Sequence, residues 1–179
     1  MNALIPVSHG SESLETITIA NILRRADVEV TVASITDSLV VDGTRSIKIT
    51  ADAKFAEVAQ KDFDLIVLPG GEVGAKALGA HAALMSKIVA QRRDHRWYGA
   101  ICAAPALALH PHGLLDGKKA TCYPAFRTTL LHYVDLPVVV DGHCITGQGP
   151  AAAVAFGLQL VESLLGSAKR KEVAEGLLA

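Results

Sequence analysis

One cysteine of this chain stands in a sequence context that could do chemistry. Cys102 follows the apolar run Trp97–Ile101, which predicts a short buried strand, and precedes Pro105, a residue tolerated in the first turn of a helix. A thiol between a strand and a helix N-terminus meets outward-pointing N–H groups and a positive dipole, which favour the thiolate. The sequence therefore predicts a reactive cysteine. Free cysteines are also among the most buried residues, so an inert core thiol remains an alternative.

Two further segments could serve a reaction at such a thiol. Pro69-Gly70-Gly71 follows the apolar run Leu65–Leu68, and paired glycines let backbone amides approach a developing oxyanion closely. Alone, the pair is only a turn signal. Glu15 lies in the first turn of a predicted helix that follows the first strand, at the sheet edge where α/β folds place their sites. An acid there can also simply stabilise the helix dipole.

The remaining cysteines and histidines form no recognised ligand pattern. Cys122 and Cys144 lie in or beside strand-like segments and are interpreted as core residues. Three cysteines without a CxxC pair argue against a disulfide framework and a cysteine-rich zinc site. The close pair His110 and His112 is not accompanied by an HExxH pattern, which favours a surface loop. We predict neither a metal nor a cofactor.

The segments that must position these residues alternate between apolar strands and amphipathic helices, which predicts an α/β layer fold. The continuous apolar run Leu65–Leu68 indicates a buried parallel strand. In the first predicted helix, Leu14, Ile17 and Ile22 are expected to form the inward face. The predicted elements are strands at 3–7, 28–34, Leu65–Leu68 and Trp97–Ile101, helices from a Ser11 cap to about Arg25, at Ala82–Arg93 and at 151–165, and hairpins at 39–50 and 138–146 turning at Asp42-Gly43 and Asp141-Gly142.

Length and composition predict one globular domain over residues 1–179, because 50% apolar content supplies a core. The formal charge of −1, without a basic block, argues against a nucleic-acid binder. The longest nearly uninterrupted apolar stretch, residues 151–158, is far below the ~18 residues of a membrane span. No Lys or Arg precedes the first apolar run, so we expect no secretory signal and a cytoplasmic protein.

Four segments together resemble a known family. They are Ser8-His-Gly-Ser-Glu-Ser-Leu-Glu15, Leu65-Ile-Val-Leu-Pro-Gly-Gly71, Gly99-Ala-Ile-Cys102-Ala-Ala-Pro105 and Gly147-Gln-Gly-Pro150. In this order and with these intervals, the chain resembles the ThiJ/PfpI superfamily, and especially its parkinsonism-associated deglycase branch with YajL-like bacterial relatives. The resemblance implies a flavodoxin-like three-layer α/β sandwich with a mostly parallel sheet, a cysteine nucleophile elbow and a homodimer.

The resemblance also implies roles for individual residues. Cys102 matches the nucleophile or oxidation site, and Glu15 matches the glutamate that transfers a proton or hydrogen-bonds the sulfur. The residues implied to supply oxyanion-binding amides are Gly70, Gly71 and Ala103. The residues implied to line the pocket are Arg25, Arg45, Tyr123 and Pro150, with Arg24 as the alternative to Arg25.

Two departures from the family pattern bear on the activity. Ala103 stands where related proteases carry a histidine, which disfavours a Cys-His protease. Tyr123-Pro124 stands where the parkinsonism-associated protein has His-Pro, and a tyrosine is a poor base near neutral pH, so a Cys-Glu-His mechanism is in doubt.

Three functions follow as hypotheses. The first is a cofactorless glyoxalase or deglycase acting on small reactive carbonyls such as methylglyoxal or on glycated groups. The second is a redox-sensing, stress-protective or chaperone-like protein that works through oxidation of Cys102 without significant turnover. The third is a pocket retained for an unrelated small ligand.

Overall fold

The computed structural model describes all residues 1–179 and contains nine strands and six α-helices. In chain order these are β1 (Asn2–Val7), α1 (Ser13–Arg25), β2 (Glu29–Ser34), β3 (Val40–Asp42), β4 (Lys48–Thr50), β5 (Ala53–Lys54), α2 (Phe55–Val58), β6 (Leu65–Leu68), α3 (Glu72–Ala80), α4 (Ala82–Arg93), β7 (Trp97–Ile101), β8 (Val138–Asp141), β9 (Cys144–Gly147), α5 (Ala153–Leu165) and α6 (Ser167–Leu177). A five-residue π-helical turn, Pro105–Leu109, follows β7.

Seven of the strands form the central sheet, in the order β5-β2-β1-β6-β7-β9-β8. Every pair in this sheet is parallel except β8–β9, which forms an antiparallel hairpin at one edge. All four residues of β6 are buried, as expected for a parallel strand covered on both faces. The predicted mostly parallel α/β fold is confirmed.

Two groups of helices pack on this sheet and enclose its apolar side chains. Helix α5 contacts both α1 and α6, while α3 contacts α4 and the turn after β7. The buried apolar side chains form one core cluster of 51 residues. No helix of the chain is long and apolar enough to cross a bilayer.

The start of α1 differs from the prediction. Ser11 does not cap the helix, because its Oγ accepts the Ser8 N–H at 3.0 Å and closes the turn after β1. Glu12 is the cap instead, with Oε1 accepting the Leu14 N–H at 3.2 Å. Leu14 and Ile17, predicted to face the core, are 52% and 54% exposed. The helix is therefore rotated so that Glu15, rather than these apolar neighbours, is buried.

The hairpin at 39–50 is present as β3 and β4, but the predicted tight Asp42-Gly43 turn is wrong. The connection runs over five residues, 43–47, and the positive φ angles belong to Arg45 (57°) and Ser46 (61°). Gly43 has a φ of −74° and its N–H donates to the Ile47 carbonyl at 2.8 Å. A wider loop lets this segment bond to the start of α1 as well as to itself.

Three helices were not predicted, and the first of them, α2, has only four residues. Helix α3 begins directly after Gly71 and contains Gly74 and Gly79, which lower helix propensity and hide its pattern. Helix α6 is rich in charge and buries only Val173, so it lacks the apolar stripe by which helices are recognised. The hairpin formed by β8 and β9 is confirmed, with Gly142 at a φ of 59°.

Candidate functional site

The carboxyl ends of three neighbouring strands bring the predicted residues together. Strands β1, β6 and β7 are adjacent in the sheet, and Glu15, Gly70 and Cys102 lie in the segments that follow them. The chain leaves β1 for β2 on one side and later returns to β6 on the other. The connections therefore diverge between β1 and β6, and α/β sheets bind their ligands in the crevice at such a point.

Cys102 occupies a sharp turn between β7 and the following helical turn. Its φ is 63°, a left-handed conformation that costs a non-glycine residue about 1 kcal/mol or more. Two backbone hydrogen bonds hold it there: its N–H donates to the Gly147 carbonyl at 2.9 Å, and its carbonyl accepts the Tyr123 N–H at 2.7 Å. The surrounding structure therefore fixes the direction of this side chain.

Glu15 is completely buried beside this turn. Its Oε2 accepts the Gly70 N–H at 2.7 Å, whereas its buried Oε1 has no hydrogen-bond partner. Burial raises the pKa of Glu15 to about 7, against the smaller opposing effect of the Gly70 hydrogen bond. A large fraction of this carboxyl is therefore protonated at neutral pH, and it can donate as well as accept a proton.

Gly70 separates the two reactive side chains and leaves no room for a larger residue. A Cβ at this position would lie 2.5 Å from the Cys102 Cβ and 2.8 Å from Glu15 Oε2. Real Cβ atoms do not approach so closely, and both neighbours are held by hydrogen bonds. A glycine here is what allows the thiol and the carboxyl to face each other.

The electrostatics at Cys102 do not follow the prediction of a helix-stabilised thiolate. Burial raises the pKa of Cys102 to about 12, and the negative charge of Glu15 adds to this effect, while N–H groups of Gly71 and Ala103 oppose it. The helical turn after β7 has only five residues, so its dipole is small. Protonation of Glu15 relieves the repulsion and provides a hydrogen-bond donor for a sulfur anion.

Two of the three predicted amide donors face the sulfur. The N–H groups of Gly71 and Ala103 lower the pKa of the Cys102 thiol, as amides directed at its sulfur do. The Gly70 N–H is instead used by Glu15. Gly71 also has a φ of 80°, which a side chain rarely tolerates. The two glycines therefore have different roles: the Gly70 amide positions the Glu15 carboxyl, and the Gly71 amide acts on the Cys102 thiol.

Two cavities share Pro150 beside this centre. Arg45 and Pro150 line a cavity of about 550 Å³ whose other lining residues are Glu12, Ser13, Leu14, Ile17 and Ile47. Tyr123 and Pro150 line a smaller one of about 180 Å³. The structure thus places three of the four predicted pocket residues next to segments that hold Glu15 and Cys102.

The fourth predicted pocket residue lies elsewhere in this chain. Arg25 is in the last turn of α1, about 15 Å along the helix axis from Glu15 at 1.5 Å per residue. Its Nε donates to Asn21 Oδ1 at 2.8 Å. The alternative, Arg24, pairs with Asp52 at 2.6 Å. Neither arginine reaches the pocket of its own chain.

Glu12 belongs to the site and was missed from the sequence. It caps α1, its Oε2 accepts the Thr44 hydroxyl at 2.7 Å, and its charge contributes to the raised pKa of Glu15. The only sequence signal was an acid at the start of a helix. Its link to Thr44 depends on the hairpin loop folding back onto α1.

The other two thiols lie in the core, as predicted, and the predicted surface loop at His110 and His112 is a short 3₁₀ turn. Cys122 and Cys144 are 0% and 2% exposed, against 9% for Cys102, so they are core residues. His112 Nε2 lies 2.8 Å from the Gly79 carbonyl on the surface. No group of three or more His, Cys, Asp or Glu side chains is arranged to hold a metal ion.

Known proteins share both this sequence and this fold. Residues 1–163 match the DJ-1/PfpI family. Protein DJ-1 homolog B of Arabidopsis thaliana is 40% identical over 177 residues, which cover 98% of this chain and 40% of that protein. The glutathione-independent glyoxalase DJ-1 of Schizosaccharomyces pombe is 28% identical over 184 residues, covering 96% of this chain and 95% of that protein. The structure of oxidized Toxoplasma gondii DJ-1 superposes with a TM-score of 0.97 at 36% identity, covering 99% of this chain and 97% of that one.

The length of the match differs among these relatives. The chain spans 40% of Arabidopsis DJ-1 homolog B and 46% of a second Arabidopsis relative, Protein DJ-1 homolog A, but nearly all of the Toxoplasma and Schizosaccharomyces proteins. The resemblance inferred from the four sequence segments is confirmed, and so is the α/β fold. This chain belongs to the DJ-1/PfpI family.

Proposed function

We propose that this protein is a cysteine-dependent, cofactorless glyoxalase- or deglycase-like enzyme that acts on small reactive carbonyls such as methylglyoxal. The observation that carries the proposal is the grouping of three features around one sulfur. The amides of Gly71 and Ala103 stabilise the anionic form of the Cys102 sulfur. Cys102 also faces a buried carboxyl, Glu15, whose pKa is raised to about 7. A nucleophile, oxyanion donors and an acid-base group near neutrality are what carbonyl chemistry requires.

The proposed reaction begins with addition of the Cys102 sulfur to the aldehyde carbon of methylglyoxal. The C–S bond forms as the S–H bond breaks, the thiol proton ends on the carbonyl oxygen, and the amides of Gly71 and Ala103 stabilise the charge that develops on that oxygen. Glu15 removes the proton from the sulfur-bearing carbon and returns it to the neighbouring carbon, while the proton of the new hydroxyl group moves to the neighbouring carbonyl oxygen, which gives a lactoyl thioester. Water then hydrolyses the thioester, releases lactate and restores the thiol.

Glu15 must serve both proton-transfer steps in this proposal. Tyr123 and Ala103 replace the histidines that could otherwise share the work, and a tyrosine is a poor base near neutral pH. The Tyr123 ring is half-exposed, and only its backbone N–H bonds to Cys102. On a glycated amine the same thiol addition would release the amine. The glyoxalase activity named for the Schizosaccharomyces relative supports the choice of methylglyoxal.

The decisive experiment follows loss of methylglyoxal and formation of lactate without glutathione. Wild type is compared with Cys102→Ser, with Glu15→Gln, and with Cys122→Ser as the matched control at a buried thiol. We expect turnover in the wild type and the control, and its loss in the other two variants. Equal turnover in wild type and Cys102→Ser would refute the proposal.

A second candidate function is protection or sensing through oxidation of Cys102. It is favoured by the unpartnered Glu15 Oε1, which in its protonated form can donate to an oxidised sulfur. Peroxide would supply the oxygen atoms: each equivalent transfers one to sulfur and leaves as water, giving sulfenate and then sulfinate. Intact-mass spectrometry after peroxide treatment, combined with the turnover assay, separates the two functions. Oxidation without measurable turnover would favour this candidate.

We further propose that the chain is one domain, which its one core cluster supports, and that it forms a homodimer through α1 and the adjacent hairpin loop. Ile19 and Ile22 of α1 lie in the core and offer no surface to a partner. The support comes instead from Leu14, Ile17 and Ile47, which are 52%, 54% and 51% exposed and line one cavity. Removing this apolar surface from water favours association.

A further inference from the structure

A second polar cavity lies at the opposite end of the sheet from Cys102. Its volume is about 230 Å³, and its polar lining residues are Arg92, His95, Tyr98, Asp116, Lys118 and His143. Tyr98 is the second residue of β7, and Cys102 follows the last residue of that strand. At about 3.3 Å per residue the two residues are about 13 Å apart. The cavity is therefore separate from the proposed active site.

Two positive charges lie at this cavity: Lys118 forms a long ion pair with Asp141, and Arg92 has no carboxylate partner. The Lys118 side chain is only 18% exposed, and its ammonium donates to the Asp141 backbone carbonyl at 3.1 Å, with the Asp141 carboxylate 3.9 Å away. The Arg92 guanidinium donates to the backbone carbonyls of Gly113 and Asp116. Backbone carbonyls carry no net charge, and these bonds leave other N–H donors of both side chains free.

Two imidazoles add further donors to the same cavity. The rings of His95 and His143 lie 5.9 Å apart, and His143 packs against Trp97 with ring centroids 4.9 Å apart. An imidazole retains at least one N–H in either common protonation state. Asp116 is the one carboxylate among the lining residues, and it is exposed to solvent. The four donor side chains therefore outnumber the two carboxylates near the cavity, Asp116 and Asp141.

We infer that this cavity binds a phosphate group, either free phosphate or the phosphate of a small monoester. Phosphate oxygens accept several hydrogen bonds at once, and the pairing of a guanidinium with an ammonium matches a doubly charged oxyanion. Lys118 and Arg92 supply charge, and His95 and His143 supply directed N–H groups. This inference is independent of the chemistry proposed at Cys102.

The test is a titration of the isotopically labelled full chain with inorganic phosphate, followed by amide NMR shifts at constant ionic strength. Saturable shifts are expected at residues 116–118 and 142–143. Lys118→Gln should weaken binding about tenfold or more, because it removes a charge-assisted hydrogen bond. Asp116→Asn should tighten binding by removing a repulsive charge. Lys119→Gln is the matched control, since it removes the same charge from an exposed neighbour outside the lining and should leave the affinity unchanged.

Several results would overturn the inference. They are the absence of saturable shifts, shifts that map to the Arg45 cavity, or equal affinities in the Lys118→Gln and Lys119→Gln variants. If Lys118→Gln does not fold, His143→Ala replaces it, and weaker binding is again the supporting result. A parallel titration with glycerol 3-phosphate identifies the source of the phosphate: tighter binding of the ester indicates a monoester ligand, and tighter binding of inorganic phosphate indicates the free ion.

Discussion

The buried carboxyl of Glu15 should make the stability of this protein fall as pH rises. Burial raises its pKa from the ordinary 4.5 to about 7, so the folded state holds a proton that the unfolded chain has already released. The native state thus binds more protons between these two values, and the free energy of unfolding decreases with pH across that window. The contribution is largest below pH 4.5 and is lost as pH rises through 7.

The size of this effect follows from the shift. A difference of about 2.5 pKa units corresponds to about 3.4 kcal/mol over the full titration, and to about 2.5 kcal/mol between pH 5 and pH 8. The window ends at pH 8 because above it the thiols of the unfolded chain ionise, whereas the buried Cys102 thiol, whose pKa is raised, stays protonated in the folded state. Glu15→Gln removes the titration while keeping an oxygen that can accept the Gly70 N–H.

Urea unfolding at pH 5 and pH 8 measures this contribution. The wild type should lose about 2.5 kcal/mol more stability between the two pH values than Glu15→Gln does. Glu29→Gln, which removes an exposed carboxylate from the start of β2, should behave as the wild type. If Glu15→Gln and wild type lose the same stability, Glu15 is not the protonated acid on which the proposed mechanism depends.

Three other predictions test the site and the assembly. Gly70→Ala should cost about 1–3 kcal/mol through overpacking and should abolish turnover, whereas Gly176→Ala, in an open part of α6, should be neutral or slightly stabilising in thermal unfolding. Cys102 should be alkylated by iodoacetamide before the other two thiols because it is the most exposed of the three, and equal labelling in peptide mass spectra would contradict this. Light scattering should give a dimer mass for the wild type and a monomer mass for Ile17→Glu, with Val89→Glu on α4 as an exposed control. A monomeric wild type would refute the proposed dimer.

The sequence was most informative where a local pattern fixes a local structure. The apolar runs of β6 and β7 predicted buried strands, and the residues after them, Gly70-Gly71 and Cys102, were placed correctly at the strand ends. It was least informative where local pattern and tertiary packing disagree. Glycines concealed α3, and apolar residues of α1 were assigned to the core although Leu14 and Ile17 are exposed.

The sequence by itself therefore determined the alternating strands and helices, the family and the identity of the thiol, because these depend on the order and spacing of residue types. Only the tertiary structure decided the chemistry of Glu15. Its carboxyl meets Gly70, 55 residues away, and loses contact with water, which raises its pKa to about 7. The tertiary structure likewise brings Lys118 and Arg92 to one cavity, although they are far apart in the sequence. Desolvation and charge depend on distances in space, and sequence spacing does not specify those distances.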